Sequence, residues 1–184
     1  FFYEKRISSN GKISCATCHA PDKGFGDNKP LSKGLDTLLR HAPALYNTAY
    51  TRWFYWDGRI DSLWAQALGP IEAVKEMAFS RLELAHFINK NKDIKDAYNA
   101  IFDDKFPDIS DSKRFPDKGM PGVDAFDSME EADQKLINRV FANVAKSIAA
   151  YERKLISKDS PFDTFVEGWK KSDKKKLGAM TESA

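Results

Sequence analysis

The heptapeptide "SCATCHA", residues 14–20, contains both cysteines of the chain and one of its three histidines. Cys15 and Cys18 form a Cys-x-x-Cys pair, and His19 follows immediately. Such pairs occur in thioredoxin-type redox sites, in zinc sites and as short disulfides. A thioredoxin site would need a βαβ setting, which is not apparent here. A zinc site would need two more ligands at a suitable spacing, and His19 lies too close to the cysteines. A disulfide would close only a tiny loop.

The histidine directly after the second cysteine favours a different chemistry, the attachment of a c-type haem. Both thiols would add to the vinyl groups of the porphyrin, and one helical turn would direct His19 at the iron as its proximal ligand. One such motif predicts one covalently bound haem c in this chain. Because haem is usually attached covalently outside the cytoplasm, a periplasmic location follows as an expectation.

Composition narrows the class of protein. The 184 residues suit one domain, and 42% hydrophobic with 30% charged residues is enough to build a packed core. The formal net charge of +2, from 29 basic and 27 acidic residues, gives no electrostatic footprint for nucleic acid. No apolar run approaches the roughly 20 residues of a membrane-spanning helix.

The first half of the chain carries two capped helix patterns. Residues 61–68 begin with Asp61 as a candidate N-cap, and the pattern is expected to stop at Gly69 and Pro70. Residues 80–91 open with Ser80 and, three residues later, Glu83, which together form a capping box.

Two further helices are predicted in the second half. Residues 128–156 open with the same box, formed by Ser128 and Glu131, and residues 160–171 place Pro161 at the first helical position. The longer segment repeats apolar residues at steps of three and four: Leu136, Val140, Phe141, Val144, Ile148, Tyr151 and Leu155.

Alternating strand patterns are almost absent, so the predicted fold class is all-α: a cytochrome c-like haem domain with long irregular loops around the haem. Residues 20–60 are rich in turn residues and aromatics and are expected to wrap the haem. Residues 103–127, with three prolines and seven aspartates, are predicted to be a surface loop between two helices.

The chain resembles the bacterial di-haem cytochrome c peroxidase family, which includes the di-haem enzyme that matures methylamine dehydrogenase. The resemblance covers nearly the whole chain in this order: "FFYEKRISSNGKISCATCH", "RHAPALYN", "WDGRIDSLWAQALGPI", "EM", "AAYERKL" and "SPFDTF". It implies that residues 1–176 are the N-terminal, peroxidatic haem domain. Residues 177–184 then resemble the start of a linker to a second haem domain that this sequence lacks, so a piece of a longer polypeptide is expected.

The resemblance also implies roles for individual residues. His19 would be the proximal iron ligand. On the opposite face the family places a glutamine and a glutamate ten residues apart, a spacing that Gln66 and Glu76 satisfy. Glu76 would move a proton between the oxygens of peroxide, and Gln66 would orient water or the bound oxygen. Trp56 matches the tryptophan that carries electrons between the two haems.

Two positions depart from the family pattern. His41 stands where the family usually has an asparagine that helps to bind an inter-domain calcium ion, and imidazole is a poor ligand for that hard cation, so calcium is doubtful. Lys33 stands where many members have a distal histidine that blocks the iron. The iron is therefore expected to be open at rest, with ligation by His41 itself as an alternative.

The resemblance implies a periplasmic haem c peroxidase domain that reduces hydrogen peroxide to water. Electrons would come from the second haem and from a small cytochrome c or a cupredoxin, and a homodimer is possible within the family pattern. Two alternatives stay open. One is an electron-transfer cytochrome c with Met77 as the sixth iron ligand. The other keeps the fold but uses the ferryl haem to oxidise a protein or an organic substrate.

Overall fold

The structure is a computed structural model that describes residues 1–180, and it is helical, as the sequence predicts. Within that range no extended strand forms, and only three isolated β-bridges occur. The described helices are α1 (Cys15–Cys18), α2 (Leu63–Glu72), α3 (Arg81–Lys90), α4 (Lys92–Ile101), α5 (Asp124–Asp127), α6 (Glu131–Glu152), α7 (Pro161–Lys171) and α8 (Lys174–Leu177). Between α1 and α2 the regular structure consists of two 3-10 turns, Pro21–Lys23 and Thr48–Tyr50.

Helix α6 is the central element of the core. Its buried stripe recurs at three- and four-residue steps, as the sequence predicts, and packs against α2 and α3. The stripe consists of Ile137, Val140, Phe141, Val144, Ala145 and Ile148. Helix α6 spans Glu131–Glu152, so it ends four residues before the predicted end at Ile156. Among the described residues no helix is long and apolar enough to cross a bilayer.

Helix α2 corrects the predicted stop at Gly69 and Pro70, because both residues lie inside it. Pro70 has no N–H to donate to the carbonyl of Gln66, four residues earlier. The Tyr55 hydroxyl donates a 3.2 Å hydrogen bond to that carbonyl instead. A Cβ at Gly69 would lie 2.2 Å from the same hydroxyl, so glycine makes room for Tyr55. The helix also begins one residue later than predicted, with Ser62 rather than Asp61 as N-cap.

The capping box of α3 is confirmed, since the Ser80 hydroxyl accepts from the Glu83 N–H and the Glu83 carboxylate accepts from the Ser80 N–H. The box predicted for α6 is wrong. Ser128 is the C-cap of α5, where its hydroxyl donates to the carbonyl of Asp124, and Glu130 takes the N-cap position of α6. Helix α4 was not among the predicted helices.

Residues 103–127 are more than the predicted surface loop, because several of their apolar side chains lie in the main core. These are Phe106, Ile109, Phe115 and Phe126. The His86 ring contacts the carbonyls of Phe115 and Pro116 through Nε2, at 3.2 and 3.0 Å. The segment is therefore anchored to α3.

The predicted helix 160–171 is confirmed as α7, with Ser160 as N-cap and Pro161 at its first position. Helix α8 then packs against α7. The predicted domain boundary after residue 176 falls inside α8, which ends at Leu177. Residues 181–184 of the predicted linker lie outside the described residues.

Candidate haem-binding site

Helix α1 holds the two cysteines on a single helical turn. The Ser14 N–H donates to the Thr17 hydroxyl at 2.9 Å, and the His19 N–H donates to the Cys15 carbonyl at 2.9 Å. Both thiols are free and half-buried. A short turn with a polar cap thus presents Cys15, Cys18 and His19 together.

The two ring nitrogens of His19 have different surroundings. Nδ1 lies 3.0 Å from the carbonyl of Phe25 and 3.1 Å from that of Pro43. Since carbonyls only accept, Nδ1 carries the hydrogen, and Nε2 is left as the nitrogen with a lone pair. Burial lowers the pKa of His19, which favours the neutral ring that a metal requires.

The cysteines do not have the environment of redox-active thiols. Burial raises the pKa of Cys15 to about 12, and burial followed by the charges of Asp27 and Glu76 raises the pKa of Cys18. Redox-active cysteines need a lowered pKa. Among residues 1–180 no three His, Cys, Asp or Glu side chains converge to hold a metal ion, so the zinc interpretation gains no ligands. Two protonated thiols and a neutral imidazole on one turn fit haem c.

Asp27 is a buried acid beside this site that the sequence analysis missed. Burial opposes its ionisation, but hydrogen bonds from Ser32 and the Lys29 N–H, with the nearby charges of Lys29 and His19, hold its pKa below the ordinary value. One carboxylate oxygen, Oδ2, has no hydrogen-bond partner within the described residues. No sequence motif marks Asp27, because its importance comes only from its neighbours in space.

Glu76 follows α2 and is partly buried. Burial raises the pKa of its carboxyl, and the positive charge of Arg59 partly offsets that rise. The charge of Glu76 in turn helps to raise the pKa of Cys18 and that of Tyr55. The Glu76 carbonyl accepts a 3.1 Å hydrogen bond from the Leu35 N–H, and the Lys33 carbonyl, two residues earlier, lies 3.7 Å from the Cys18 sulfur, so the predicted catalytic acid lies near α1.

Gln66 lies on α2 and is also partly exposed. Within residues 1–180 no hydrogen bond joins its side chain to that of Glu76. Its backbone is held by the Tyr55 hydroxyl, and no sequence signal for Gln66 would have revealed that contact. This hydrogen bond therefore fixes the backbone of Gln66, and the side-chain amide of Gln66 is available to a ligand.

Trp56 lies at the surface, with 55% of the residue exposed. Its indole N–H donates to the carbonyl of His41 at 3.0 Å, and the His41 ring packs edge-on against it at 4.8 Å. Leu31 and Leu39 line the same shallow groove beside Trp56. A buried core position for Trp56 is thereby excluded.

The turn around Gly58 is built as the sequence analysis expects. Arg59 and Asp57 form a two-pronged ion pair across the glycine, at 2.7 and 2.8 Å. The guanidinium of Arg59 also lies over the ring of Tyr55, 3.6 Å from its centroid. Tyr55 has a positive φ of 64°, which an aromatic residue adopts only where the surroundings stabilise it. The turn thus holds the Arg59 guanidinium against Asp57 on one side and the Tyr55 ring on the other.

Met77, the alternative iron ligand, is 2% exposed and belongs to the main hydrophobic core. Its neighbour Glu76 is only partly buried, so the two adjacent residues differ in their access to solvent.

Comparisons with known proteins identify the family of the chain. A family model described as di-haem cytochrome c peroxidase matches residues 1–171. The chain is 30% identical to the cytochrome c551 peroxidase of Pseudomonas aeruginosa, over 99% of this chain and 46% of that protein. It is 28% identical to the methylamine utilization protein MauG of Methylophilus methylotrophus, over 91% of this chain and 41% of that protein.

Solved structures share the fold. A MauG-like protein associated with microbial copper homeostasis superimposes with a TM-score of 0.64 at 24% identity, covering 91% of this chain and 42% of that one. The diheme peroxidase BthA from Burkholderia thailandensis gives a TM-score of 0.64 at 20% identity, covering 90% and 40%. The chain spans less than half the length of these proteins.

Proposed function

Because the chain belongs to the di-haem cytochrome c peroxidase family, we propose that it is the haem domain at which hydrogen peroxide is reduced to water. The observation that carries this proposal is that one short segment contacts both sides of the site. The Lys33 carbonyl lies 3.7 Å from the Cys18 sulfur, and the Leu35 N–H donates to the Glu76 carbonyl at 3.1 Å, so an acid lies near the turn that presents two thiols and the free Nε2 of His19.

Cys15 and Cys18 would hold a haem c through thioether bonds, and His19 Nε2 would be the proximal ligand. When bound, the haem supplies the iron at which peroxide is reduced. The carbonyls of Phe25 and Pro43 fix the orientation of the His19 ring through Nδ1. Such an outer hydrogen bond makes the ligating nitrogen a better electron donor.

Glu76 is the proposed acid–base group. Its carboxylate would accept a proton from one peroxide oxygen and return it to the other, so that the departing oxygen leaves as water. A pKa raised by burial brings the carboxyl closer to the operating pH, where one group can serve both as the base and as the acid. The amide of Gln66 would orient the peroxide or a water molecule between it and Glu76.

Electrons would enter through Trp56, whose exposure at the surface suits contact with another domain or donor. We propose a second haem domain in the complete protein, and a small cytochrome c or a cupredoxin as the final donor. A periplasmic location follows from covalent haem attachment.

The test uses the protein produced with the haem-attachment machinery. Its ferric spectrum should be high-spin, and stopped-flow mixing with peroxide should give a fast bimolecular reaction. Glu76→Gln should slow this reaction by about 10²- to 10⁴-fold. A low-spin spectrum with a protein sulfur or nitrogen on the distal side, or an unchanged rate in Glu76→Gln, would refute the proposal.

A further inference from the structure

We propose that residues 33–36, called here the strap, position Glu76 relative to the attachment helix, with Gly34 as the residue that permits the fit. This inference rests on the proposed role of Glu76 and assigns a positioning function to a segment that bears no catalytic side chain.

Backbone hydrogen bonds join the strap to Glu76 and its neighbour. The Leu35 N–H donates to the Glu76 carbonyl at 3.1 Å, and the Asp36 N–H donates to the Lys75 carbonyl at 3.0 Å. At the surface, the Lys75 ammonium lies 3.3 Å from the Asp36 carboxylate. The main chain of Glu76 is therefore held from outside its own segment.

Gly34 allows the two backbones to approach this closely. A Cβ built on Gly34 would lie 2.7 Å from the Lys75 carbonyl oxygen and 2.8 Å from the Glu76 Cα. Both are backbone atoms, which cannot rotate away as the end of a flexible side chain can. Gly34 is not among the residues with a positive φ, so alanine suits its conformation, and only the space is lacking. A methyl group there must push the strap and Glu76 apart.

The strap also contacts the attachment helix. The Cys18 sulfur lies 3.7 Å from the Lys33 carbonyl, one residue before Gly34. A segment of four residues thus touches a haem-attachment cysteine at one end and the backbone of Glu76 in its middle. Because the strap lies between Cys18 and the Glu76 backbone, it sets the distance between the Glu76 carboxylate and helix α1.

The experiment compares Gly34→Ala with a matched control, Gly26→Ala, in the haem-loaded protein. A Cβ at Gly26 would meet its nearest neighbours at an ordinary 3.7 Å. Gly34→Ala should lower the bimolecular rate with peroxide by about 10- to 100-fold, since small displacements of a catalytic group have such effects. Gly26 is buried like Gly34, but the added methyl meets only ordinary contacts there, so Gly26→Ala should stay within about twofold of the parent.

Testing Gly34→Ala in a Glu76→Gln protein separates an effect on the position of Glu76 from general damage to the fold. If Gly34 acts through Glu76, Gly34→Ala should cause no further loss in a Glu76→Gln protein. An equal loss in both backgrounds, or no loss in either, would overturn the proposal. The infrared band of the protonated Glu76 carboxyl, identified by its absence in Glu76→Gln, provides a readout independent of activity. Its titration midpoint should shift in Gly34→Ala and not in Gly26→Ala.

The outcome also distinguishes the two proposals. If Glu76→Gln reacts with peroxide like the parent, the proposed function of Glu76 fails, while the infrared midpoint still tests the strap. If Gly34→Ala does not fold, hydrogen exchange on the unmodified protein tests whether the strap is docked on Glu76. The amides of Leu35 and Asp36 should exchange slowly, and fast exchange of both would show that the strap is not docked on Glu76.

Discussion

The Tyr55 hydroxyl donates a hydrogen bond to the Gln66 carbonyl, the carbonyl that Pro70 leaves without its helical partner. Replacing Tyr55 by phenylalanine should therefore cost about 1–2 kcal/mol in the free energy of unfolding, because the freed acceptor is partly buried. Urea unfolding measures this difference. The matched control is Tyr50→Phe, on a side chain that is 76% exposed. Equal stability of the two variants would contradict the role given to this hydroxyl.

Gly69 and Tyr55 should be coupled energetically. Gly69→Ala alone should destabilise the protein, since the new methyl would meet the Tyr55 hydroxyl at 2.2 Å. In a Tyr55→Phe background the nearest remaining atom is Cζ at 3.5 Å, an ordinary contact. There the same substitution should be neutral, or stabilising by up to about 1 kcal/mol, as alanine is a better helix former than glycine. A double-mutant cycle by urea unfolding checks this, and strict additivity of the two changes would refute it.

Arg59 should set the pH dependence of the peroxide reaction. Burial raises the pKa of Glu76, and the positive charge of Arg59 opposes that rise. The reaction needs the ionised carboxylate, so its rate should increase with pH through a midpoint above the ordinary pKa of a glutamate. Arg59→Gln should move this midpoint to higher pH in stopped-flow measurements. Arg52→Gln, on an exposed arginine nearby in sequence, should leave it in place, and the same midpoint in both variants would disprove the assignment.

Glu152 should make the folded state less stable at neutral pH. It is 4% exposed, its Oε2 has no hydrogen-bond partner within the described residues, and burial raises its pKa to about 7. The folded protein thus holds this proton more tightly than the unfolded chain. The stability is greatest below the unfolded pKa of about 4.3 and falls as the pH rises toward 7.

Glu152→Gln should flatten that pH dependence, and the difference at pH 8 should be roughly 3 kcal/mol in favour of the variant. Chemical unfolding at several pH values between 4 and 8 measures it. Glu131→Gln, at the exposed start of the same helix, is the control and should keep the parent's slope. A parent whose stability is constant over this range would contradict the expectation.

Phe115 should behave as a core residue although it lies in the segment 103–127. It is fully buried, so Phe115→Ala should cost about 3–5 kcal/mol. Val123→Ala, on a partly exposed side chain of the same segment, should cost less than about 1 kcal/mol. Thermal unfolding compares the two, and similar small effects would restore the interpretation of this segment as a surface loop.

The features predicted correctly from the sequence are those that depend on near neighbours in the chain. The helical turn that holds Cys15 and Cys18, the cap of α3 at Ser80 and the stripe of α6 are each complete within a few turns of helix. The features that were missed depend on residues far apart in sequence. Pro70 stays inside α2 only because Tyr55 reaches the Gln66 carbonyl, and Gly34 matters only because Glu76 lies against it.

The same distinction explains the error over residues 103–127. Prolines, glycines and aspartates correctly indicate irregular backbone there, but they do not reveal that His86 and Ser80 bind the segment to α3. The positions of Glu76 and Gln66 could be named from a motif, whereas the electrostatic influence of Arg59 on Glu76 required the fold of the turn at Gly58.

The close fit of Gly69 under Tyr55 constrains the order in which positions 55 and 69 can be substituted in related proteins. A lineage that acquires a side chain at position 69 first must pass through a clashing intermediate, while one that loses the phenol oxygen first forfeits a single hydrogen bond. Divergence at this point of the family should therefore proceed through position 55 before position 69. Ancestral reconstructions should contain phenylalanine facing glycine far more often than tyrosine facing alanine.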